Sequence, residues 1–412
     1  MHLFTKKNVI FWIVVAAAFF LMLRSSQPVK WADALFVTAG ILTFLHRRAR
    51  TAVVEFWPQI AIYILPLLAI AIFIVIGQFI GFLRHGPPPA SANAIVLNYA
   101  RLALEMGMLL FLACAISTGQ RLVHYLSLAV FASPLVIIPI FWGTWQDILL
   151  SNGRLSGFLQ SPIILGSWLS INFIIGVGIF LSSKVLWQKM AAASWLVVIA
   201  NFILWSASRA AWLSLAVSII IWSVLYLKKK SFKKCLVILA LSISVFYLGY
   251  LLFCLGARPT PAVQAFVSKR VAEFITHPTA SQVRHLFWLE AVDIIFRNPL
   301  GVGFGYYPII ADGKLIQPFN TFLEVAVYGG IGALTAFLLF FYRMGISIRA
   351  TLEDLLDQGA DLKLAWLVAV PALLVNIFFA DSIFFRHVWV TLGVALGISW
   401  QTLIKNKSDQ NH

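Results

Sequence analysis

Long apolar runs, repeated from one end of the chain to the other, constrain this fold more than any single motif does. Of the 412 residues, 61% are hydrophobic and only 11% are charged, whereas a soluble domain carries about 25% charged residues. About 20 consecutive apolar residues span a bilayer as an α-helix. A membrane β-barrel would instead show alternating segments of about ten residues, which the sequence lacks. The chain is therefore predicted to be an all-α polytopic membrane protein.

Twelve runs are candidates for transmembrane helices. They cover approximately residues 9–23, 31–45, 57–83, 94–118, 122–141, 163–181, 190–205, 210–227, 235–255, 320–341, 364–380 and 388–404. The first run lacks a small-residue cleavage pattern before Arg24, and many spans follow it, so we interpret it as a helix rather than a signal peptide. The division between 190–205 and 210–227 depends on Arg209 alone.

The basic residues predict how the helices cross the membrane. A net charge of +16 would suggest nucleic acid in a soluble protein, but Lys and Arg also collect in cytoplasmic loops during membrane insertion. No basic run is interleaved with aromatic residues on a soluble face, so no nucleic-acid partner is expected. With the N-terminus inside, more than half of the 31 Lys and Arg residues lie inside, including those from Lys228 to Lys234. Both termini are therefore predicted to be cytoplasmic, and residues 256–319 to lie outside.

The chain is predicted to form one integral domain, with helices in residues 1–255 and 320–412 around the hydrophilic segment 256–319. Within that segment, residues 281–298 are predicted to form an amphipathic helix that ends before Pro299. Its apolar positions follow helical spacing: Val283, Leu286, Phe287, Ala291, Ile294 and Ile295. The glycines at 301, 303 and 305 follow a helix rather than a strand, so they do not form a nucleotide-binding fingerprint. We expect them to let backbone pass close to a neighbouring segment.

Two groups of residues inside the spans are expected to be structural. Cys114, Cys235 and Cys254 lie in or beside apolar runs and have no metal-ligand spacing, so we interpret them as small apolar side chains. Arg101 and Glu105 lie four residues apart in the 94–118 span and are predicted to pair. We favour a structural clasp over a polar cavity for this pair.

Arginines in three separate outer segments suggest an anion site. Arg154 lies in the turn-rich segment 142–162, Arg209 lies among small residues between two spans, and Arg284 lies on the amphipathic helix. A planar guanidinium keeps its charge and binds phosphate oxygens in pairs. The alternatives, a solvated loop residue for Arg154 and a snorkelling side chain for Arg209, stay open.

A fourth outer segment begins the next predicted span. Asn320 or Thr321 is predicted to cap this helix. Glu324 would then lie one turn inside the outer boundary, where a carboxylate needs a partner. Glycines at 329, 330 and 332 allow close helix packing.

These segments together resemble the O-antigen ligase and O-antigen polymerase superfamily of bacterial membrane glycosyltransferases. The resemblance runs from about residue 150 to 340, and the order, sidedness and spacing of its motifs carry it. The matching stretches are Arg154 to Gly157, Ser208 to Trp212, Arg284 to Trp288, Asn298 to Gly303 and Asn320 to Glu324. Twelve spans with a large loop between the ninth and tenth also fit this family.

The resemblance implies a fold of the GT-C type in the bacterial inner membrane and a periplasmic active site. It implies transfer of glycan, with inversion and without metal or other cofactor, from an undecaprenyl-pyrophosphate-linked oligosaccharide to an acceptor hydroxyl. The acceptor would be another glycan or lipid A-core, with membrane lipid, a flippase and a chain-length regulator as further partners. By the same resemblance, Arg209 and Arg284 are essential arginines that hold the pyrophosphate, joined in our prediction by Arg154.

One departure from the family bears on the reaction. The family usually has a histidine directly before the asparagine of the last motif, where this chain has Phe319. The ligases depend on this histidine more consistently than the polymerases, so we expect an O-antigen or exopolysaccharide polymerase, with ligase as the alternative. The general base is then unassigned. Glu324 is one candidate for it, and the nearby Asn320 is a further candidate site residue. Other candidates for the base are His277, His285 and Asp312.

Two other classes of protein are possible. A transporter with twelve helices would be expected to show internal repeats, and none is visible between the two halves of the sequence. A cell-division or cell-wall polymerase is a nearer rival, because its lipid-pyrophosphate chemistry is the same.

Overall fold

The computed structural model describes residues 57–88, 90–135, 154–155, 161–255, 282–306, 309–311, 314–316, 318–380 and 384–410, with the isolated positions 265 and 269. The predicted spans 9–23 and 31–45 lie outside the described residues. So do most of segment 142–162, most of segment 256–281, and both His277 and Asp312.

The described part of the chain is helical apart from one short hairpin. Its eleven helices are α1 (Trp57–His85), α2 (Ala92–Thr118), α3 (Gln120–Ala132), α4 (Pro162–Ser182), α5 (Leu186–Ser206), α6 (Arg209–Lys228), α7 (Phe232–Leu255), α8 (Gln282–Arg297), α9 (Thr321–Asp357), α10 (Asp361–Phe378) and α11 (Arg386–Gln410). The strands β1 (Ile309–Ala311) and β2 (Lys314–Ile316) pair antiparallel, with Ile309 opposite Ile316. This hairpin is an addition to the all-α prediction.

Eight of the described helices are long and apolar enough to cross a membrane: α1, α2, α4, α5, α6, α7, α9 and α10. They agree closely with the predicted spans, and α5 and α6 are separate helices as expected. The protein is therefore a multi-pass helical membrane protein. The total of twelve spans and the GT-C architecture remain predictions.

Helix α9 differs from its predicted span in two ways. It continues to Asp357 instead of ending near residue 341, so the predicted loop after it begins as helix. At about 1.5 Å per residue, a helix of 37 residues exceeds the apolar thickness of a bilayer. It is also broken at Gly330, whose φ of 70° and ψ of −167° are not helical.

The core is formed by helices packed side by side. Helix α1 packs along α9, and α2 packs along α11, while α4 lies among α5, α6 and α10. The apolar stretch of α4 is 83% buried inside the protein. Trp366 of α10 is fully buried, and its indole nitrogen donates to Ser127 Oγ of α3 at 2.8 Å.

The prediction that Glu105 pairs with Arg101 inside α2 is wrong, because Glu105 pairs with a residue of another helix. Glu105 is only 4% exposed, and its ion pair is with Arg386 Nε at the start of α11, at 3.4 Å. Arg101 was expected there because spacing along one helix is visible in the sequence, whereas the packing of α11 on α2 is not. The predicted role as a clasp fits this pair, which joins two helices.

The two ends of the bundle carry different sets of residues. At one end, named here the lysine end, Lys229 pairs with Asp357 at 2.7 Å, and Lys234 pairs with the buried Asp361 at 3.0 Å. Tyr226 also donates to Asp361. At the opposite end, named here the site end, α4, α6, α9 and α11 begin and α1, α5 and α10 end. The predicted site residues in the described part of the chain all lie at the site end.

Candidate functional site

Arg154 supports the turn that precedes Arg209. Its Nε donates to the carbonyl of Ser206 at 3.0 Å, and its Nη2 donates to the carbonyl of Ala207 at 3.3 Å. The next residue, Leu155, donates its backbone N–H to Trp205 O at 3.1 Å. Arg154 is therefore positioned beside Arg209, although these contacts are to backbone rather than to a free pocket. Its role as a pyrophosphate ligand stays a prediction.

The supported turn has a strained backbone and ends in a helix N-terminus. Ala207 has a φ of 47°, in the left-handed region that residues other than glycine rarely adopt. Ser208 then caps α6, since its Oγ accepts from the N–H of Ala211 at 3.4 Å. Arg209 is the first residue of α6 and is half-buried. Its guanidinium therefore adds to the positive potential of a helix N-terminus.

Helix α4 packs directly against this turn. A Cβ on Gly166 would lie only 2.7 Å from Ser208 Cβ, so the helix and the turn touch where Gly166 is. Ser167, the next residue of α4, lies 3.0 Å from His387 Nε2 of α11. His387 was missed by the sequence analysis. Its only signal was its place beside Arg386 at the outer end of the last predicted span.

Arg284 lies on the inner face of α8 and contacts the position where the family usually has histidine. Its guanidinium carbon lies 5.5 Å from the ring centre of Phe319, a cation–π distance. Phe287, on the same face of α8, places its ring centre 6.4 Å from that ring. Trp288 Nε1 donates to the carbonyl of Pro318 at 2.8 Å. Phe319 thus joins α8 to the start of α9.

The start of α9 has the predicted cap and the predicted buried acid. Asn320 Oδ1 accepts from the N–H groups of Phe322 and Leu323, at 2.9 and 3.1 Å. Glu324, in the first turn, is buried and accepts from Tyr328 Oη at 3.4 Å. A carboxylate in the first turn is favoured by the helix dipole.

The end of α10 joins the two groups of site residues. Thr321 Oγ1 donates to the carbonyl of Ala380, just beyond α10, at 2.7 Å. The Trp288 ring centre lies 5.5 Å from that of Phe378. Helix α10 also packs against α4 and α6. The Arg154–Arg209 group and the Arg284–Glu324 group therefore lie at one end of one packed unit.

Among the other candidates for a base, only His285 is described. It is exposed, on a different face of α8 from Arg284, as its position in the helix predicts. In the described part of the chain, no group of three or more His, Cys, Asp or Glu side chains is placed to hold a metal ion. Metal independence stays a prediction.

The glycine-rich segment after α8 passes close to α9, as expected. Three backbone hydrogen bonds, each 2.9 Å long, join the segment to the break at Gly330: Val302 to Val327, Gly303 to Tyr328 and Ile331 to Pro299. A broken helix leaves some backbone N–H and C=O groups without partners inside the helix, and these three bonds provide such partners. We name this junction the glycine junction, defined by residues 299–303 and 327–331.

Comparison with known families supports the resemblance found in the sequence. Residues 193–338 match the family described as O-antigen ligase. This match supports the resemblance to the O-antigen ligase and polymerase superfamily. The matched stretch contains Arg209, Arg284, Asn320 and Glu324, whereas Arg154 lies before it. A search of curated proteins found no match.

The match supports a membrane enzyme of the ligase or polymerase type, and it implies glycosyltransferase-like activity in polysaccharide biosynthesis. The family implies substrates of two kinds, a polyprenyl-linked glycan and an acceptor such as lipid A-core.

Proposed function

We propose that this enzyme is an O-antigen or exopolysaccharide polymerase that uses an undecaprenyl-pyrophosphate donor. The observation that carries the proposal is the pair of half-buried arginines, Arg209 and Arg284, at the site end and inside the family match. A charged side chain held partly out of water at the end of a membrane bundle is costly unless it binds an anion or a neighbouring group. A pyrophosphate provides oxygens that match the guanidinium fork.

In the proposed reaction, the oxygen of an acceptor hydroxyl forms a bond to the anomeric carbon of the donor glycan. The bond from that carbon to the pyrophosphate oxygen breaks, and the anomeric configuration inverts. The electron pair of the broken bond stays on the pyrophosphate, whose growing negative charge is stabilised by Arg209, Arg284 and the N-terminus of α6. No metal or other cofactor takes part in this proposal.

The proton of the acceptor hydroxyl is assigned to Glu324. This carboxylate is buried one turn after the Asn320 cap, at the same end of the bundle as both arginines. Pyrophosphate is a good leaving group, so a base stronger than a carboxylate is not required. Asn320 positions Glu324 by capping the first turn of α9.

The orientation proposed for the enzyme follows from the charges at the two ends of the bundle. Lys229 and Lys234 at the lysine end favour the cytoplasm. The site end then faces the periplasm, with both termini in the cytoplasm and the protein in the inner membrane. A flippase would supply the donor from that same side, and a chain-length regulator would act on the product.

Two substitutions at each arginine test the site. Arg209→Ala and Arg284→Ala are expected to abolish long glycan in cells without lowering the amount of protein in the membrane. Lysine at either position is expected to restore little activity, because it keeps the charge but loses the paired geometry. Long glycan of normal abundance in either alanine variant would overturn the assignment.

Arg297 provides a matched control on the same helix as Arg284. It is exposed and pairs with Asp293 at 3.0 Å, one turn away on α8. Arg297→Ala removes an arginine from α8 without touching the inner face, and is expected to leave glycan length unchanged. Equal losses in the variants of Arg284 and Arg297 would indicate a general effect of charge on the helix rather than a site.

A ligase is the second candidate, because the matched family is described as O-antigen ligase. Phe319, in place of the histidine on which ligases depend, favours the polymerase. The surface glycan of a deletion strain separates the two. A polymerase deletion leaves single repeat units attached to lipid A-core. A ligase deletion leaves none attached and accumulates lipid-linked polymer.

A further inference from the structure

Helix α8 has three distinct faces. The inner face carries Arg284 and the buried Phe287 and Ala291, and it packs against α9. A second face, named here the polar stripe, holds the exposed Glu290, Asp293 and Arg297, with the exposed Leu286 one turn before Glu290. A third face is exposed and mainly apolar, and we name its apolar residues Leu289, Val292 and Phe296 the outer strip; the exposed His285 lies one turn before Leu289.

The outer strip is too exposed to be a part of the core. Leu289 is 54% exposed and Phe296 is 78% exposed. These residues lie seven apart, so they project from the same side of the helix. Leaving an aromatic and a leucine side chain in water at these exposures is unfavourable, since each exposes apolar surface whose burial would be favourable.

Two contacts place α8 at the level where the membrane-spanning helices end. Arg84, one residue before the end of α1, donates from Nη1 to the carbonyl of Arg297 at 3.2 Å and to Asn298 Oδ1 at 3.0 Å. The predicted membrane span of α1 runs to His85. The C-terminal end of α8 therefore lies level with the end of the membrane-spanning helix α1.

The C-terminal end of the outer strip also lies near exposed apolar residues of α9. Leu300, four residues after Phe296, is half-exposed, and Pro299 O accepts from the N–H of Ile331 at 2.9 Å. Ile331 is exposed and begins a stripe of exposed side chains on α9 that continues through Leu338 and Tyr342. These positions are seven and eleven residues after Ile331, on one face of a helix. The hydrogen bond from Ile331 to Pro299 therefore brings the start of this stripe close to the end of α8.

We propose that α8 is an interfacial helix whose outer strip inserts among the acyl chains of the leaflet at the site end. The occupant of the strip is membrane lipid. Its apolar residues would lie about 5–10 Å into the boundary between head groups and acyl chains. The adjacent polar stripe then meets the head groups and water, an arrangement typical of helices that lie in the membrane plane.

Lipid contact by α8 would also affect the site. This point rests on the proposed function. Arg284 lies on the inner face of the same helix, so the depth of the outer strip fixes the height of this guanidinium above the bilayer. A pyrophosphate attached to a lipid has a fixed height too, because its polyprenyl chain is held in the membrane. Anchoring α8 to lipid keeps the two at matching heights.

The lipid contact is tested by fluorescence quenching. Leu289→Cys and Phe296→Cys are made in a chain whose three native cysteines are replaced by alanine, and each is labelled with a polarity-sensitive fluorophore. Glu290→Cys and Asp293→Cys, on the adjacent polar stripe, are the matched controls. The labelled proteins are reconstituted into vesicles of phosphatidylethanolamine and phosphatidylglycerol, with or without bromine on the acyl chains. Size-exclusion chromatography checks that every variant is folded and monodisperse.

Brominated lipid is expected to reduce emission about twofold or more at positions 289 and 296, with little change at 290 and 293. Equal quenching at all four positions, or none at 289 and 296, would overturn the proposal. A second copy of the chain on the strip would shield the probes from lipid and from water and give disulfide-linked dimers of Phe296→Cys. That outcome would overturn it as well.

The link to Arg284 has its own test. Phe296→Asp is expected to reduce long glycan about tenfold while Glu290→Gln leaves it unchanged, since only the first removes the lipid anchor. The quenching experiment needs no enzymatic activity. Quenching at 289 and 296 in an enzyme whose arginine variants remain fully active would therefore reject the proposed function and leave the interfacial helix standing.

Discussion

The break in α9 is expected to require glycine at position 330, whereas a glycine elsewhere in the same helix should be replaceable by alanine. Gly330 has a φ of 70° and a ψ of −167°, a region that is essentially restricted to glycine. A Cβ added there would overlap the carbonyl oxygen of Pro299 and lie 2.7 Å from the backbone nitrogen of Gly301. Neither neighbour is the flexible end of a side chain, so the backbone itself would have to move.

The cost of Gly330→Ala follows from these two effects. The disallowed backbone conformation contributes about 1–3 kcal/mol, and forcing an extra carbon into a packed junction contributes about 1–3 kcal/mol. We therefore expect a loss of about 2–6 kcal/mol, which is a large part of the 5–15 kcal/mol that stabilises a typical domain. The glycine junction would open, and the segment from α8 to α9 would lose its three backbone hydrogen bonds.

The same helix supplies a control. Gly345 has open space around its Cβ position, and alanine is favoured over glycine by up to about 1 kcal/mol inside a helix. Gly345→Ala is therefore expected to leave stability unchanged or slightly higher.

Thermal denaturation of the purified proteins in detergent, followed by size-exclusion chromatography, measures both variants. Gly330→Ala should denature at a clearly lower temperature than the parent and Gly345→Ala should not. Equal denaturation temperatures for the two variants would refute the reasoning, because they would show that the break carries no strain.

Two further predictions concern side chains at the site end. Glu105→Ala removes a buried carboxylate that pairs with Arg386 at 3.4 Å, and we expect a loss of about 2–4 kcal/mol, measured as a lower denaturation temperature in detergent; an unchanged temperature would show that the clasp contributes nothing. Phe319→Ala removes the ring beneath Arg284 and is expected to reduce long glycan several-fold, since a cation–π contact contributes about 0.5–2 kcal/mol. Phe319→His keeps a ring, so we expect unchanged activity, and a rise would show that this position lacks only a base.

The sequence predicted the membrane helices well because helices that contact lipid and helices buried among them, such as α4, are both long apolar runs. The run at 57–83, for example, corresponds to α1, Trp57–His85. It did not predict that α9 continues to Asp357. Charged residues such as Arg343 end an apolar run, but they are good helix formers and do not end a helix. Hydropathy therefore marks where lipid ends, which is a different place from where the helix ends.

The site was predicted in part, and the limit has a physical origin. The order of the spans and the distribution of Lys and Arg predicted the side of the membrane for Arg154, Arg209 and Arg284. Such a prediction needs only the order of segments along the chain. These two properties did not give contacts between distant segments. The sequence therefore paired Glu105 with the arginine four residues away, whereas the packing of α2 on α11 brings Arg386 to it instead. His387 and its contact with Ser167 depend on the same kind of long-range packing.

Two of the predicted site arginines, Arg154 and Arg284, have in common that each contacts a residue with a strained backbone. Three non-glycine residues in the described part of the chain have positive φ, and two of them, Ala207 and Phe319, lie at the site end directly before the capping residues Ser208 and Asn320. Each is contacted by a predicted site arginine: Arg154 donates to the carbonyl of Ala207, and Arg284 lies over the ring of Phe319.

These arginines therefore stabilise strained turns as well as supply positive charge, and an alanine substitution removes both contributions together. Lysine separates them, because it keeps the charge but lacks the planar fork that reaches two carbonyls at once. For Arg154, whose contacts include the backbone of its neighbouring turn, Arg154→Lys is expected to lower the denaturation temperature nearly as much as Arg154→Ala. A lysine variant as stable as the parent would show that charge alone, and not the fork, holds the turn that precedes Arg209.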